Sequence, residues 1–354
     1  MSIWRVKPVS AFEADMKKND LKRVLTKWGL TSLGIGAIIG GGIFTLTGIA
    51  AHDYAGPALA LSFVIAGIGC LFASLCYAEF ASVLPVEGSA YAYAYGTVGE
   101  LFAWFIGWNL ILEYMMGATT VAVAWSGYFV KLLHLFHIDF PIWLCNDLAT
   151  ATEKCAAAGI AAPSFAFNLP AFLITWLVTA VLVKGIKEAA KTNNIIVIVK
   201  IAVVLFVIIV GAFYINTDNW HPFIPDEVPI IGKNGLPTGE FNFGFGGVLT
   251  AATIVFFAYI GFDAVSTQAG EAINPKKDVP FAIIASLIIC TVLYILVSLV
   301  LTGMVKYDVL DKAAPVASAF SEKGLSWAVF IITIAATAGL TSVMLVMMLG
   351  QTRI

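Results

Sequence analysis

Three residue patterns in this chain could do chemistry, and all interrupt long apolar runs. From Gly34 to Phe44 the sequence reads GIGAIIGGGIF, five glycines in eleven residues. Each glycine costs a helix interior about 1 kcal/mol relative to alanine. Gly36 and Gly40, four apart, suit the close approach of a second helix, but packing leaves the consecutive Gly40, Gly41 and Gly42 unexplained. Three adjacent glycines point to an unwound stretch between two half-helices, where backbone N–H groups and a positive helix end could hold a small anion. The spacing G-x-G-x-x-x-G within an apolar span excludes a dinucleotide-binding turn. The second pattern is FFAYIGFDAVSTQAGEAINP, Phe256 to Pro275, in which Gly261 and Asp263 break an apolar run. An ionisable residue inside a span is a functional candidate; we favour the other reading of Asp263, that it ties two broken helix ends together. The third is Lys200, some way into another apolar run. A central lysine costs about 2.5–3.5 kcal/mol in a bilayer, so its stem either carries the ammonium to the interface or the ammonium is held inside for a purpose.

These residues need a frame, and composition says what kind. Of the 354 residues, 60% are hydrophobic and 12% charged, about half the charge of a soluble domain. The 20 Lys+Arg nearly cancel the 22 Asp+Glu, which gives no reason to expect a nucleic acid partner. A membrane crossing takes about 20 apolar residues. Eight segments qualify, near 31–51, 58–82, 99–132, 168–183, 194–215, 247–269, 280–304 and 326–350. The third is long enough to tilt or project from the bilayer. The polar residues before them do not resemble a signal peptide, so the first span is expected to insert uncleaved. Loops on the N-terminal side carry most of the lysine and arginine, from Arg5 to Lys27, then Lys184, Lys187, Lys191, Lys276, Lys277 and Arg353. Positive loops stay inside, so the expected protein is multi-pass in the plasma (inner) membrane with a cytoplasmic N-terminus.

Breaks in the first and sixth spans, five helices apart, are the mark of an inverted-repeat secondary transporter whose ligand sits at the bilayer midplane. Backbone groups exposed by such breaks must line a cavity, since each costs several kcal/mol in lipid. A ligand bearing a carboxylate and an ammonium satisfies both kinds, which describes an amino acid. The expected division is a cytoplasmic segment over 1–30, a first five-helix repeat over 31–215, an extracytoplasmic loop over 216–246 and a partial second repeat of three helices over 247–354. Cys145 and Cys155 share the polar loop between the third and fourth spans, and two readings stay open there, a disulfide or two free thiols. No cofactor or metal is expected. The motifs G-x-S-x-G, H-E-x-x-H and Walker A are absent, so a membrane enzyme lacks its usual parts.

Several ordered stretches carry a family resemblance: the first-span glycine motif, GWNLILEY from Gly107, KTNNIIVIVKIAV from Lys191, FFAYIGFDAVST from Phe256, EAINPKKDVP from Glu271 and the terminal TSVMLVMMLGQTRI. Together they resemble the amino acid–polyamine–organocation superfamily, most closely the bacterial members of its cationic amino acid transporter branch. The resemblance implies an all-α membrane protein of the leucine-transporter-like inverted-repeat fold. It further implies that N–H groups of Gly41, Gly42 and Ile43 bind the substrate carboxylate, that carbonyls of Ile39, Phe257, Ala258 and Ile260 bind its ammonium, and that Phe257 gates the site. The Lys200 ammonium would occupy the place of a coupling sodium ion, between first-span carbonyls near Gly36 and Ile39 and the hydroxyls of Thr341 and Ser342. Burial disfavours a lysine's charged form, which suits a group that gains and loses a proton in the cycle. Where relatives often carry Ser or Thr this chain has Gly41, and Asn109 stands where an acid is frequent. Leu340 is expected to face the substrate side chain. The expected function is proton-coupled uptake of small neutral amino acids, with an exchanger, a cationic amino acid transporter or a sensor of the same fold as alternatives; the oligomeric state is open. The family fold needs two further helices to finish its second repeat, so a fragment of a longer transporter is expected.

Overall fold

The computed structural model describes residues 4–18, 23–184, 186–231, 237–312, 314–352 and 354. In chain order its helices are α1 (Val9–Lys18), α2 (Lys27–Ile38), α3 (Thr47–Ala50), α4 (Leu59–Val83), α5 (Ser89–Thr97), α6 (Glu100–Leu135), α7 (Leu148–Ala157), α8 (Leu169–Lys184), α9 (Ile186–Ala212), α10 (Gly244–Phe256), α11 (Pro275–Met304), α12 (Pro315–Glu322) and α13 (Ser326–Gln351). A small antiparallel hairpin, β1 (Val228–Ile231) with β2 (Pro237–Asn242), precedes α10 and pairs Val228 with Asn242.

Among the described residues six stretches are long and apolar enough to cross a membrane, and Leu169–Val183 is a shorter apolar helix. The eight expected segments all fall on these, but the first two are one run from Lys27 to Val83. Their turn is a tight one at Gly56, whose φ of +57° would strain any residue with a Cβ. At 16 residues α8 spans about 24 Å, short of the ~30 Å hydrocarbon core, whereas the 36 residues of α6 reach about 54 Å and must tilt or project.

Local chemistry sets the helix starts. Thr26 caps α2, its hydroxyl accepting from Gly29 N at 3.2 Å, and proline opens both α11 and α12 at the positions where a missing N–H costs least. The exterior is apolar, with Phe72, Trp108, Trp176 and Phe213 exposed, as a lipid-facing surface requires. Inside, α11 packs along α4 and α2, and α13 along α6 and α9. Around that centre the largest fully buried side chains include Tyr114, Tyr128, Tyr259, Tyr294, Phe44, Phe63 and Lys200. Four tyrosines and a lysine in an apolar core must each find a polar partner.

Candidate functional site

The glycine run does break its helix. After Ile38 the chain turns extended at Ile39 (φ −71°, ψ 101°), then re-enters a π-helical turn, Gly42–Leu46, that leads into α3. Phe44 N donates to Gly40 O at 3.3 Å, so the N–H groups of Gly41, Gly42 and Ile43 head the second half-helix, where a helix lacks internal acceptors. The sixth span breaks likewise. α10 passes into a 3₁₀ turn at Phe257–Tyr259, Ile260 is extended (ψ 132°), and Gly261 takes φ +115° before a second 3₁₀ stretch from Asp263.

The two breaks lie against each other. A Cβ on Gly261 would fall 2.9 Å from the Ala37 carbonyl carbon, and one on Gly42 would fall 2.5 Å from Ala258 Cα. Because the earlier residue of one span meets the later residue of the other, the broken segments cross antiparallel.

Side chains from other helices satisfy the opened backbone. Lys200, wholly buried on α9, donates to Gly36 O at 2.7 Å and to Ile39 O at 2.8 Å. Two charge-assisted bonds at about 1.5–3 kcal/mol each are enough to offset the few kcal/mol of burying the ammonium. Gly339 on α13 makes room for the stem: a Cβ there would lie 3.1 Å from Lys200 Cγ. Tyr294 on α11 sets its hydroxyl 2.7 Å from Ile38 O and 3.0 Å from Ala258 O, so one side chain holds both breaks. From α6, Tyr128 donates to Phe44 O at 2.6 Å and Tyr114 to the Asp263 carboxylate at 2.7 Å. Asp263 is therefore anchored beside the second break. Sequence reasoning missed these tyrosines, although a tyrosine inside an apolar span is itself a signal, because its hydroxyl needs a partner there.

The other anticipated residues distribute unevenly. Gly41 has room for a methyl group at ordinary van der Waals contact: a Cβ would sit 3.8 Å from Ala124 Cβ, 3.9 Å from Leu340 Cδ2 and 4.0 Å from Val121 Cγ2. Leu340 is buried there. The carbonyls expected to bind an ammonium are already engaged, Ile39 O by Lys200, Ala258 O by Tyr294, and Phe257 O by Ile260 N at 3.3 Å. Each retains a second lone pair. Ile260 is half-buried, while the Phe257 ring is 65% exposed and does not cover the break. Thr341 is occupied elsewhere, its hydroxyl donating to Thr337 O at 2.9 Å and accepting from Trp125 Nε1 at 2.9 Å; its neighbour Ser342 is buried. Asn109 is exposed and bonds its own helix at Phe105 O.

Of the two readings of Cys145 and Cys155, the structure has the free thiols. Cys155 is buried on α7, whereas Cys145 ends a 3₁₀ turn and directs its sulfur to Pro141 O at 3.4 Å. Burial pushes the Cys145 thiol up from its ordinary value, with Lys154 opposing, which favours the less reactive protonated form.

A model of the amino acid permease family matches residues 25–354. The chain belongs to the amino acid permease family. It is 44% identical over 353 residues to the methylthioribose transporter of Bacillus subtilis and 47% identical over 356 residues to the branched-chain amino acid permease BcaP of the same organism; each match takes in 100% of this chain and 70% of the relative. It is also 39% identical over 340 residues to the chloroplastic cationic amino acid transporter 9 of Arabidopsis thaliana, covering 95% of this chain and 55% of that one. This permease is thus a multi-pass membrane transporter rather than an enzyme, and the relatives' names span three substrate chemistries.

Proposed function

We propose that this permease takes up small neutral amino acids by alternating access, driven by a proton gradient, with Lys200 as the proton-binding group. One observation carries the reading: the Lys200 ammonium bonds Gly36 O and Ile39 O immediately before the N–H groups of Gly41, Gly42 and Ile43. The substrate carboxylate docks on those N–H groups, and its ammonium on the free lone pairs of Ile39, Phe257, Ala258 and Ile260 carbonyls. A protonated Lys200 ties α9 to α2 through two charge-assisted bonds. Loss of the proton weakens both bonds, releasing the first span and coupling protonation to its movement. Phe257 moves over the site when it closes.

Neutral specificity rests on apolar Leu340 beside Gly41 and on the engagement of the buried Asp263 carboxylate by Tyr114. Neither offers a free anion to a cationic side chain. Transport of cationic amino acids is the second reading, favoured by the likeness to the Arabidopsis transporter. In this scheme residues 31–215 and 247–354 belong to two inverted repeats, 216–246 to an outer loop, and 1–30 to the cytoplasm, in the plasma membrane. Several of the loop lysines behind that orientation, among them Lys17, Lys18, Lys22, Lys184, Lys187 and Lys191, have side chains outside the described residues, as does Arg353.

The test is uptake of radiolabelled alanine into liposomes holding the purified protein, with and without an alkaline interior. Wild type accumulates alanine only with the gradient, and Lys200→Ala loses accumulation while retaining alanine exchange. Accumulation by Lys200→Ala would overturn the proton role, and competition by arginine alone would overturn neutral specificity.

A further inference from the structure

One cleft lies away from the breaks, where the chain preceding α2 crosses the end of α4 and the start of α11. It encloses about 510 Å³ and is lined by Arg23, Lys276, Lys277, Val83 and Ile273 among others. Backbone pairing builds its wall: Val24 N and Leu25 N each approach Glu271 O at 2.9 Å, and Ile273 N donates to Leu25 O at 2.9 Å. That short parallel bridge fixes Arg23 beside the start of α11, which carries the two lysines. All three cations are exposed, and none makes an ion pair among the described residues. The acid of that helix start, Asp278, is turned back onto Asn274 N at 3.2 Å. Because α11 opens with Pro275, the first N–H of the helix is that of Lys276, adding a donor and the positive helix end to the same cleft.

The surroundings decide what kind of anion fits. Two membrane spans terminate here, so the cleft lies at the bilayer interface. Val83, in the cleft's lining, is 64% exposed, and at the start of α2 Trp28, 60% exposed, stacks edge-on against Phe281 of α11 with Lys27 5.3 Å above the Phe281 ring. Exposed apolar and aromatic side chains next to cations without acidic partners among the described residues are what an anionic headgroup with attached acyl chains meets. A free soluble anion has no use for them.

We propose that this cleft binds the phosphodiester headgroup of an anionic phospholipid, with Arg23, Lys276 and Lys277 on the phosphate oxygens. The site is distinct from the substrate breaks and does not depend on the substrate or coupling assigned above. Native mass spectrometry of the purified protein, titrated with phosphatidylglycerol or phosphatidylcholine, tests it. Phosphatidylglycerol should bind preferentially, with affinity falling about fivefold for Lys276→Gln or Lys277→Gln alone and about 100-fold for the variant combining them with Arg23→Gln. Lys312→Gln, which removes a cation elsewhere, should leave the affinity unchanged. Equal binding of the two lipids, or unchanged affinity in both single variants, would overturn the proposal. So would displacement of phosphatidylglycerol by millimolar inorganic phosphate, which would mark a soluble-anion site. Because the single variants alter only exposed side chains, they keep the test valid if the triple variant misfolds.

Discussion

Gly41 and Gly42 are adjacent and identical in type, yet a methyl group added at each should have opposite consequences. Gly41 has φ −54° and ψ −24°, a helical conformation that alanine adopts freely, and its added Cβ meets nothing nearer than 3.8 Å. Gly41→Ala should therefore raise stability by about 0.4–1 kcal/mol through the entropy of the unfolded chain. Gly42→Ala instead drives its Cβ to 2.5 Å from the Ala258 Cα, backbone that no rotamer change can move away. Separating the two breaks strains the Tyr294 bridge between Ile38 O and Ala258 O as well, so a loss of about 1–3 kcal/mol is expected, the usual cost of overpacking. Equilibrium unfolding of both purified variants in detergent measures the pair, and alanine and leucine binding adds a second reading. The Gly41→Ala methyl enters the space beside Leu340, so leucine binding should fall more than alanine binding. Equal stability for the two variants, or a stable Gly42→Ala, would refute the antiparallel contact of the breaks.

Tyr294→Phe keeps the ring packed against Phe63 and Tyr259 but removes the hydroxyl that bridges Ile38 O and Ala258 O; chemical denaturation should register a loss of about 1–2 kcal/mol. At the surface Lys312 Nζ lies 2.6 Å from Asp53 Oδ1, joining the end of the first broken span to the connection before α12. Both groups are partly exposed, so a double-mutant cycle with Asp53→Asn and Lys312→Gln should return a coupling of only about 0.2–1 kcal/mol, falling with added salt. Asp147 caps α7, its carboxylate accepting from the Thr150 hydroxyl and backbone N–H, and these bonds hold its carboxyl below the ordinary carboxylate value. A depressed folded value means that this contribution is complete at neutral pH and is lost only as the pH falls below the usual carboxylate range. Amide exchange at Thr150 should therefore stay protected down to mildly acidic pH, and Asp147→Ala should remove the protection at every pH.

The sequence alone determined where the chain leaves water and where its spans fail. Long apolar runs have no other solvent than lipid, and clustered glycines raise the local cost of a helix whatever surrounds them, so both properties read out residue by residue. The breaks at Ile39–Gly41 and Ile260–Gly261 fall where those glycines lie. The partners of the opened backbone do not read out that way. Lys200 reaches carbonyls 164 and 161 residues away and Tyr294 one 256 residues away, and nothing in local hydropathy separates Tyr294 from another buried aromatic. Likewise, composition could not tell the glycine that abuts Ala258 from its neighbour that has room for a methyl group, nor foresee that Asp263 would be engaged by Tyr114. Only the crossing of α2 and α10, with α6, α9 and α11 around them, decided those matters, because a hydrogen bond needs its two atoms within about 3 Å and sequence spacing carries no such distance between separate helices.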